Sequence, residues 1–197
     1  WVSVDQPLQW GGIFSAIQDN GEFERGLLLG YRHDQFAFAV ATEKGGSLTY
    51  LTADTAFDPG HWSHVVGTYD GREQRIYFNG RLAGRSTSQS GPIWYAPSGP
   101  VVVAAYQDDN EHYGMTGALE EIRVFTRALS EDEIGTRYEL RKSEFPLPAP
   151  EPIRLALPYG PFVDWIDRTT ASITWETDSE MPTKLELIHP DGPVSFA

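Results

Sequence analysis

The chain contains no cysteine. Disulfide bridges and thiolate metal sites are therefore excluded, while the compartment stays open, because secreted bacterial proteins also dispense with them. No apolar run approaches the ~20 residues that a membrane-spanning helix needs. No signal peptide is visible, and that absence carries no weight. Basic residues are scarce: 15 Lys and Arg stand against 28 Asp and Glu, a net charge of −13. Such a surface repels nucleic acid and anionic membranes, so neither a nucleic-acid partner nor membrane insertion is expected. Catalytic signatures are also missing. There is no Gly-x-Ser-x-Gly, no phosphate loop and no His-Glu-x-x-His.

What is present reads as β-structure. The 197 residues suffice for one sizeable β domain and part of another, and 19 Gly with 14 Pro supply many turns. The organising stretch is His61 to Gly84, HWSHVVGTYDGREQRIYFNGRLAG. Residues 62–69 form a strand rich in β-branched and aromatic side chains, ended by Asp70-Gly71. Residues 74–78 form a second strand, ended by Asn79-Gly80. Both dipeptides suit tight hairpins, whose central positions need φ > 0. Trp62, His64 and Val66 share one face, as do Ile76 and Phe78, the period of a sheet with one face on a core.

Further strands are expected over 1–4, 12–17, 26–32, 35–41, 48–52, 101–106 and 115–126. Ile13, Ser15 and Ile17 are placed on one face. In 35–41, Phe36, Phe38 and Val40 alternate with Ala37, Ala39 and Ala41, so the alanine side meets either a close neighbour or open water. The apolar run 101–106 reads as a strand covered on both faces. Ser130 and Glu133 form a capping box ahead of a short helix that ends near Leu140. Many short strands and one helix predict a β-sandwich.

The motifs W-x-H-V-x-G-T-Y-D-G and R-I-Y-F-N-G-R-L, followed by Gly117-Ala118-Leu119-Glu120-Glu121-Ile122-Arg123-Val124-Phe125 and Arg127-Ala128-Leu129-Ser130, resemble the central meander and closing strand of laminin-G-like domains. The fold implied is all-β, an antiparallel two-sheet jelly-roll sandwich of the concanavalin A type with one short helix. Relatives carry strands before an aromatic-Val pair such as Trp1-Val2, so an N-terminal strand is expected to be missing from residues 1–142. Such a fold hosts binding, adhesion and catalysis alike. The Glu-x-Asp-x-x-Glu pattern of the fold's glucanases is absent. Glu120 and Glu121, on opposite faces of a strand, read as structural. His61 and His64, three apart on a strand, cannot jointly hold a metal.

Pentraxins share the jelly roll and bind Ca²⁺ through an early Asp-Asn pair and a late Glu-Gln-Asp run. The resemblance assigns Asp19 and Asn20 to the pair and Gln107 and Asp108 to the run, with Tyr106 standing where a carboxylate is expected. Asp109 or Glu111 could substitute for it. Carboxylates and amides on loops are the donors that Ca²⁺ prefers. The plainer reading is two polar turns bonded to themselves.

Residues 143–152 hold the proline-rich stretch FPLPAPEP and read as a semi-rigid linker. Residues 153–197 resemble the first strands of the fibronectin-III-like module preceding the catalytic domain of purple-acid-phosphatase-like metallophosphoesterases. They would form an incomplete second sandwich, with none of that enzyme's metal motifs in the chain.

The expected function is a non-catalytic module that binds carbohydrate or cell-surface glycan, with Ca²⁺ as cofactor and with Trp94 and Tyr95 as stacking faces. It would sit in a secreted, cell-surface or periplasmic protein. The alternative is a spacer or oligomerisation module of a metallophosphoesterase, whose catalytic domain would follow in cis.

Overall fold

The computed structural model describes residues 1–21, 23–96, 101–108 and 110–145, and the strands of 159–165, 171–176, 185–189 and 192–196. The chain divides into two compact units, Trp1–Pro148 and Ala149–Ala197. In the first, the strands run β1 (Val2–Gln6), β2 (Gly11–Asn20), β3 (Phe23–Arg32), β4 (Gln35–Val40), β5 (Thr49–Ala56), β6 (Trp62–Ser63), β7 (Val65–Tyr69), β8 (Gln74–Phe78), β9 (Arg81–Ser86), β10 (Val102–Val103), β11 (Ala105–Gln107), β12 (His112–Gly114) and β13 (Thr116–Leu119). Helix α1 (Glu131–Arg141) follows. The second unit holds two antiparallel hairpins, β14 (Tyr159–Trp165) with β15 (Ala171–Glu176) and β16 (Leu185–His189) with β17 (Gly192–Phe196).

The first unit is a concanavalin A-like β-sandwich. A five-stranded antiparallel sheet, β10-β2-β3-β4-β5, faces the three-stranded sheet β7-β8-β9, and β13-β1-β6 adds a third ladder. The alternation read from the sequence sets the core. Tyr31, Phe36, Phe38 and Val40 join Ile76, Val2 and Val4, with Leu27, Leu29 and Phe78 packed against them. Each fully buried apolar side chain of this size contributes about 1.5–3 kcal/mol. The layers touch closely: a Cβ on Gly67 would stand 2.4 Å from the Phe38 ring.

The alanine face of β4 meets a close neighbour. Ala39 and Ala41 are fully buried beside Ile17, Leu28, Leu48 and Tyr106, with Tyr50 packed on them. The five-stranded sheet is thus covered on both sides. The other sheet is covered too, since Ile134 of α1 and Leu129 pack on Tyr77 and Val66. Trp62, His64 and Val66 do not lie on the sandwich core: Val66 packs with the helix cluster, while Val65 packs on the main core. The helix begins at the expected capping box, with Ser130 Oγ accepting from the Glu133 N–H at 3.2 Å and the Glu133 carboxylate accepting from the Ser130 N–H at 2.9 Å.

Several expectations are corrected. Ile13 belongs to the main core and Ile17 to the other face, because a bulge between Gly12 and Phe14 leaves Ile13 outside the pairing register and reverses the alternation. The 101–106 run is not covered on both faces: Val101 and Val103 are 67% and 52% exposed, and β10 is a two-residue edge strand. The strand expected over 62–69 breaks at His64. The strand expected over 115–126 ends at Leu119, because the sheet offers 122–126 no partner among the described residues. Asn79-Gly80 is the expected two-residue turn, with φ of +48° and +78°. Asp70-Gly71 instead opens a four-residue loop, residues 70–73, whose Arg72 and Glu73 N–H groups donate to Asp70 Oδ1 at 2.9 and 2.8 Å.

Phe145, expected at the start of the linker, is buried. Its ring stacks on Trp1 at 4.4 Å and lies 5.1 Å from Trp62. The prolines of the linker lie outside the described residues.

Candidate functional site

Asp19 and Asn20 end β2 next to the turn that leads into β3, a turn that Gly21 permits with φ +63°. Asn110 and Glu111, from the turn between β11 and β12, come to the same rim. Together Asp19, Asn20, Gly21, Asn110 and Glu111 line an open cleft of about 680 Å³.

The Asp19 carboxylate is held by two tyrosines. Tyr50 Oη donates to Asp19 Oδ2 at 2.6 Å, and Tyr106 Oη donates to the same oxygen at 3.1 Å. Tyr50 comes from β5, where its register partner is Ala39, and a methyl there leaves room for a ring across the sheet. Burial is the main cause that raises both tyrosine pKa values; for Tyr50 the hydrogen bond to Asp19 adds most after it, and for Tyr106 the Asp19 charge does. Both therefore stay protonated donors at physiological pH. Further rings adjoin the two tyrosines: Trp10 lies 5.0 Å from Tyr50 with Arg32 over its face at 4.9 Å, and Tyr113 lies 5.9 Å from Tyr106.

Asp108 does not line the cleft but shapes its wall. It is 5% exposed; Oδ1 accepts the N–H groups of Asn110 at 3.0 Å and Glu111 at 2.7 Å. Its Oδ2 is buried with no hydrogen-bond partner among the described residues. Gln107 Oε1 lies 3.1 Å from His112 Nδ1, across the β11–β12 ladder. Asp109 lies outside the described residues. Among the described residues, no three His, Asp or Glu side chains are grouped to hold a metal. The donors at the cleft are all hard oxygens, the class a calcium ion takes.

Trp94 and Tyr95 do not reach this cleft. Trp94 is half-buried, its N–H donating to Ala41 O at 2.9 Å and its carbonyl accepting from the Gly26 N–H at 2.8 Å. One face of its ring is covered by the Arg25 guanidinium at 3.1 Å, which the Phe23 ring approaches at 4.5 Å. Tyr95 is 53% exposed and borders a different cavity.

Tyr50 carries no mark of a site residue in the sequence, and Tyr106, which stands where a carboxylate is expected, holds the Asp19 carboxylate instead. The usable signal was the alanine alternation, since a row of methyls on one face leaves room for large rings. Glu120 and Glu121 are ion-paired: Glu121 bonds Arg123 at 2.5 Å and Arg141 at 3.0 Å, and Glu120 lies 3.6 Å from Arg141.

The sequence profile of the concanavalin A-like lectin/glucanases superfamily matches residues 1–135. Pappalysin-1 of Mus musculus is 28% identical over 159 residues, and that of Homo sapiens 24%. The match takes in 75% of this chain and 10% of each relative, so the chain spans about a tenth of their length. Among solved structures, the heptameric SAP-like pentraxin of Limulus polyphemus is similar with a TM-score of 0.50 at 21% identity, over 70% of this chain and 66% of that one. A Bacteroides ovatus protein assigned to carbohydrate binding gives 0.51 at 20% identity, over 68% and 38%. These likenesses are to the fold.

Proposed function

Since this chain belongs to the concanavalin A-like lectin/glucanases superfamily, we propose that it is a non-catalytic carbohydrate-binding module of a secreted protein, and that the Asp19 cleft is its binding site. The observation that carries this reading is the cleft itself. A carboxylate fixed by two tyrosine hydroxyls, beside amide and acid side chains, offers hydrogen-bond acceptors, and the rings of Trp10 and Tyr113 adjoin those tyrosines. Those are the two contacts a sugar uses. Glu120 and Glu121, the adjacent acids of the closing segment, are engaged by arginines, which favours binding over hydrolysis.

The proposal extends to Ca²⁺. Asp19, Asn20, Asn110 and Glu111 would hold it, with Asp109 completing the set. An ion held there would supply a positive charge that attracts the hydroxyl oxygens of a sugar. The unpartnered Asp108 Oδ2 supports this, because a buried carboxylate oxygen without a donor is costly unless a cation or water serves it. For the second unit the proposal is a fibronectin-III-like module, supported by its two antiparallel hairpins.

A glycan panel probed with and without millimolar Ca²⁺ tests the reading. Retention of at least one glycan is expected, lost in Asp19→Ala and kept in Asp34→Ala. At a hundredfold excess over Kd, Ca²⁺ would add about 2.7 kcal/mol of stability, seen as a higher Tm that EDTA reverses and Asp108→Ala weakens. A silent panel refutes the carbohydrate reading. A Tm indifferent to Ca²⁺ refutes the metal.

A further inference from the structure

The hairpin that carries Asp19 and Asn20 also carries an arginine whose charge no described acid answers. Arg25 lies in β3, and its guanidinium packs against two rings, Trp94 at 3.1 Å and Phe23 at 4.5 Å. Among the described residues its side chain makes one hydrogen bond, from Nη1 to Glu24 O at 2.6 Å, and Nε is buried with no partner. The ion pairs of the described residues are made by Arg75, Arg123, Arg127, Arg141 and Lys142, not by Arg25.

The acids next to Arg25 in the hairpin are engaged elsewhere. Glu24 Oε2 accepts the Leu48 N–H, and Asp19 Oδ2 accepts two tyrosine hydroxyls. Asp19 and Glu24 are register partners on the same side as Ile17 and the alanines of β4, the side opposite Arg25. A side chain that only roofs a tryptophan needs no charge, and a buried Nε without an acceptor costs stability. The stack instead holds a planar cation in place before any anion arrives, so little side-chain entropy is lost on binding one.

The strand register sets its place beside the cleft. Asn20 pairs with Phe23 and Gln18 with Arg25, so Asn20, Phe23 and Arg25 share one face. Directly opposed residues stand about 5 Å apart at Cβ. Asn20 lines the cleft. A ligand seated there has the 40%-exposed Phe23 ring as its next neighbour, and the guanidinium lies against that ring. Trp94, which does not reach the cleft, backs Arg25 from its other side of contact.

Resting on the carbohydrate reading above, we propose that Phe23 and Arg25 form an anion subsite of the Asp19 cleft, and that the ligand is a glycan with a carboxylate on the sugar next to the one in the cleft. Phe23 offers that sugar a ring face, and Arg25 reads its acid. A carboxylate is planar, and the parallel N–H donors of a guanidinium match its oxygens.

The test is a panel of matched pairs: uronate-containing oligosaccharides and their carboxyl-reduced forms, which keep the same rings and linkages with CH2OH in place of the carboxylate. The parent should retain the acidic form of at least one pair roughly tenfold better or more, as a charge-assisted contact requires. Arg25→Gln should erase that preference while retention of the reduced form stays as in the parent. Arg25→Lys keeps the charge but not the planar fork and should lose most of the preference; it decides the matter if the Gln variant does not fold. Equal retention of both forms overturns the subsite and leaves the carbohydrate reading standing. So does a preference that survives Arg25→Gln, as a cation in the cleft would produce, or one undiminished in Arg25→Lys. Stronger retention of a sulfated glycan than of its carboxylated counterpart overturns the carboxylate assignment. A panel on which neither form of any pair is retained refutes the carbohydrate reading and the subsite with it.

Discussion

Replacing His64 should remove a defined part of the acid sensitivity of this fold. Its ring is buried between Trp1, at 5.1 Å, and Tyr138, at 6.0 Å, and its Nδ1 has no partner among the described residues. Burial first, then the positive charges of the Trp1 amino group and Arg137, push its pKa from 6.5 down to about 4, against a smaller opposing pull from Glu121. As the pH falls, the unfolded chain takes up the proton near 6.5, whereas the native state resists until about 4. Between those values the unfolded state binds more protons, so stability rises with pH. The contribution is fully present above 6.5, is lost on descent through the window, and is constant below about 4. A gap from 6.5 to about 4 is worth on the order of 3 kcal/mol.

His64→Phe keeps the aromatic packing and the His64 N–H bond to Asn79 Oδ1, which is a backbone contact of 2.9 Å. The variant should match the parent at neutral pH or exceed it slightly, since it deletes an unpartnered polar atom. Urea denaturation at a series of pH values gives the parent-minus-variant difference, in which every other titrating group cancels. That difference should fall progressively below pH 6.5. Parallel curves would refute a neutral, desolvated His64.

Two further substitutions probe the frame. Ser130→Ala removes the oxygen that caps α1 and should cost about 1 kcal/mol in urea denaturation, with the helix retained by circular dichroism. Gly12→Ala drives a Cβ to 2.0 Å from the Ala105 carbonyl oxygen, a backbone atom that cannot step aside, and should cost about 3 kcal/mol or more by the same assay.

The parts of the fold that rest on local chemistry were legible in the sequence. Asn79-Gly80 makes its turn because both residues tolerate positive φ, and Ser130 with Glu133 caps a helix whatever surrounds it. Alternation gave the core side of β4 correctly. What failed was non-local. The bulge at Ile13 exists because Gly12 and Gly30 let backbones approach closely, and nothing in the pattern of β2 marks it. The strand expected to run through Ile122 and Val124 has the right residues but lacks a pairing partner among the described ones. At the candidate site, the polar turns could be read as ligands because Asp and Asn announce themselves. The tyrosines that hold Asp19 could not, since they lie 31 and 87 residues away in sequence and look like ordinary core aromatics.

Those tyrosines change the electrostatic argument for a cation. Two carboxylates without donors at one rim would repel each other until a divalent ion relieved them. In the structure each carboxylate already has two donors: hydroxyls for Asp19, backbone N–H groups for Asp108. Charge-assisted hydrogen bonds of this kind stabilise the ionised form without a metal. Asp19 is therefore satisfied without a cation, while Asp108 Oδ2 has no hydrogen-bond partner among the described residues, so a Ca²⁺-dependent rise in Tm would report relief of that oxygen together with affinity. Tyr106→Phe tests this directly. Losing one hydroxyl removes a bond worth about 1.5–3 kcal/mol to a charged acceptor, so Tm without cation should fall. The Asp19 carboxylate, now less well satisfied, should then gain more from Ca²⁺ than in the parent. A Ca²⁺ increment in Tm no larger in Tyr106→Phe than in the parent would show that the hydroxyl does not stand in for a cation.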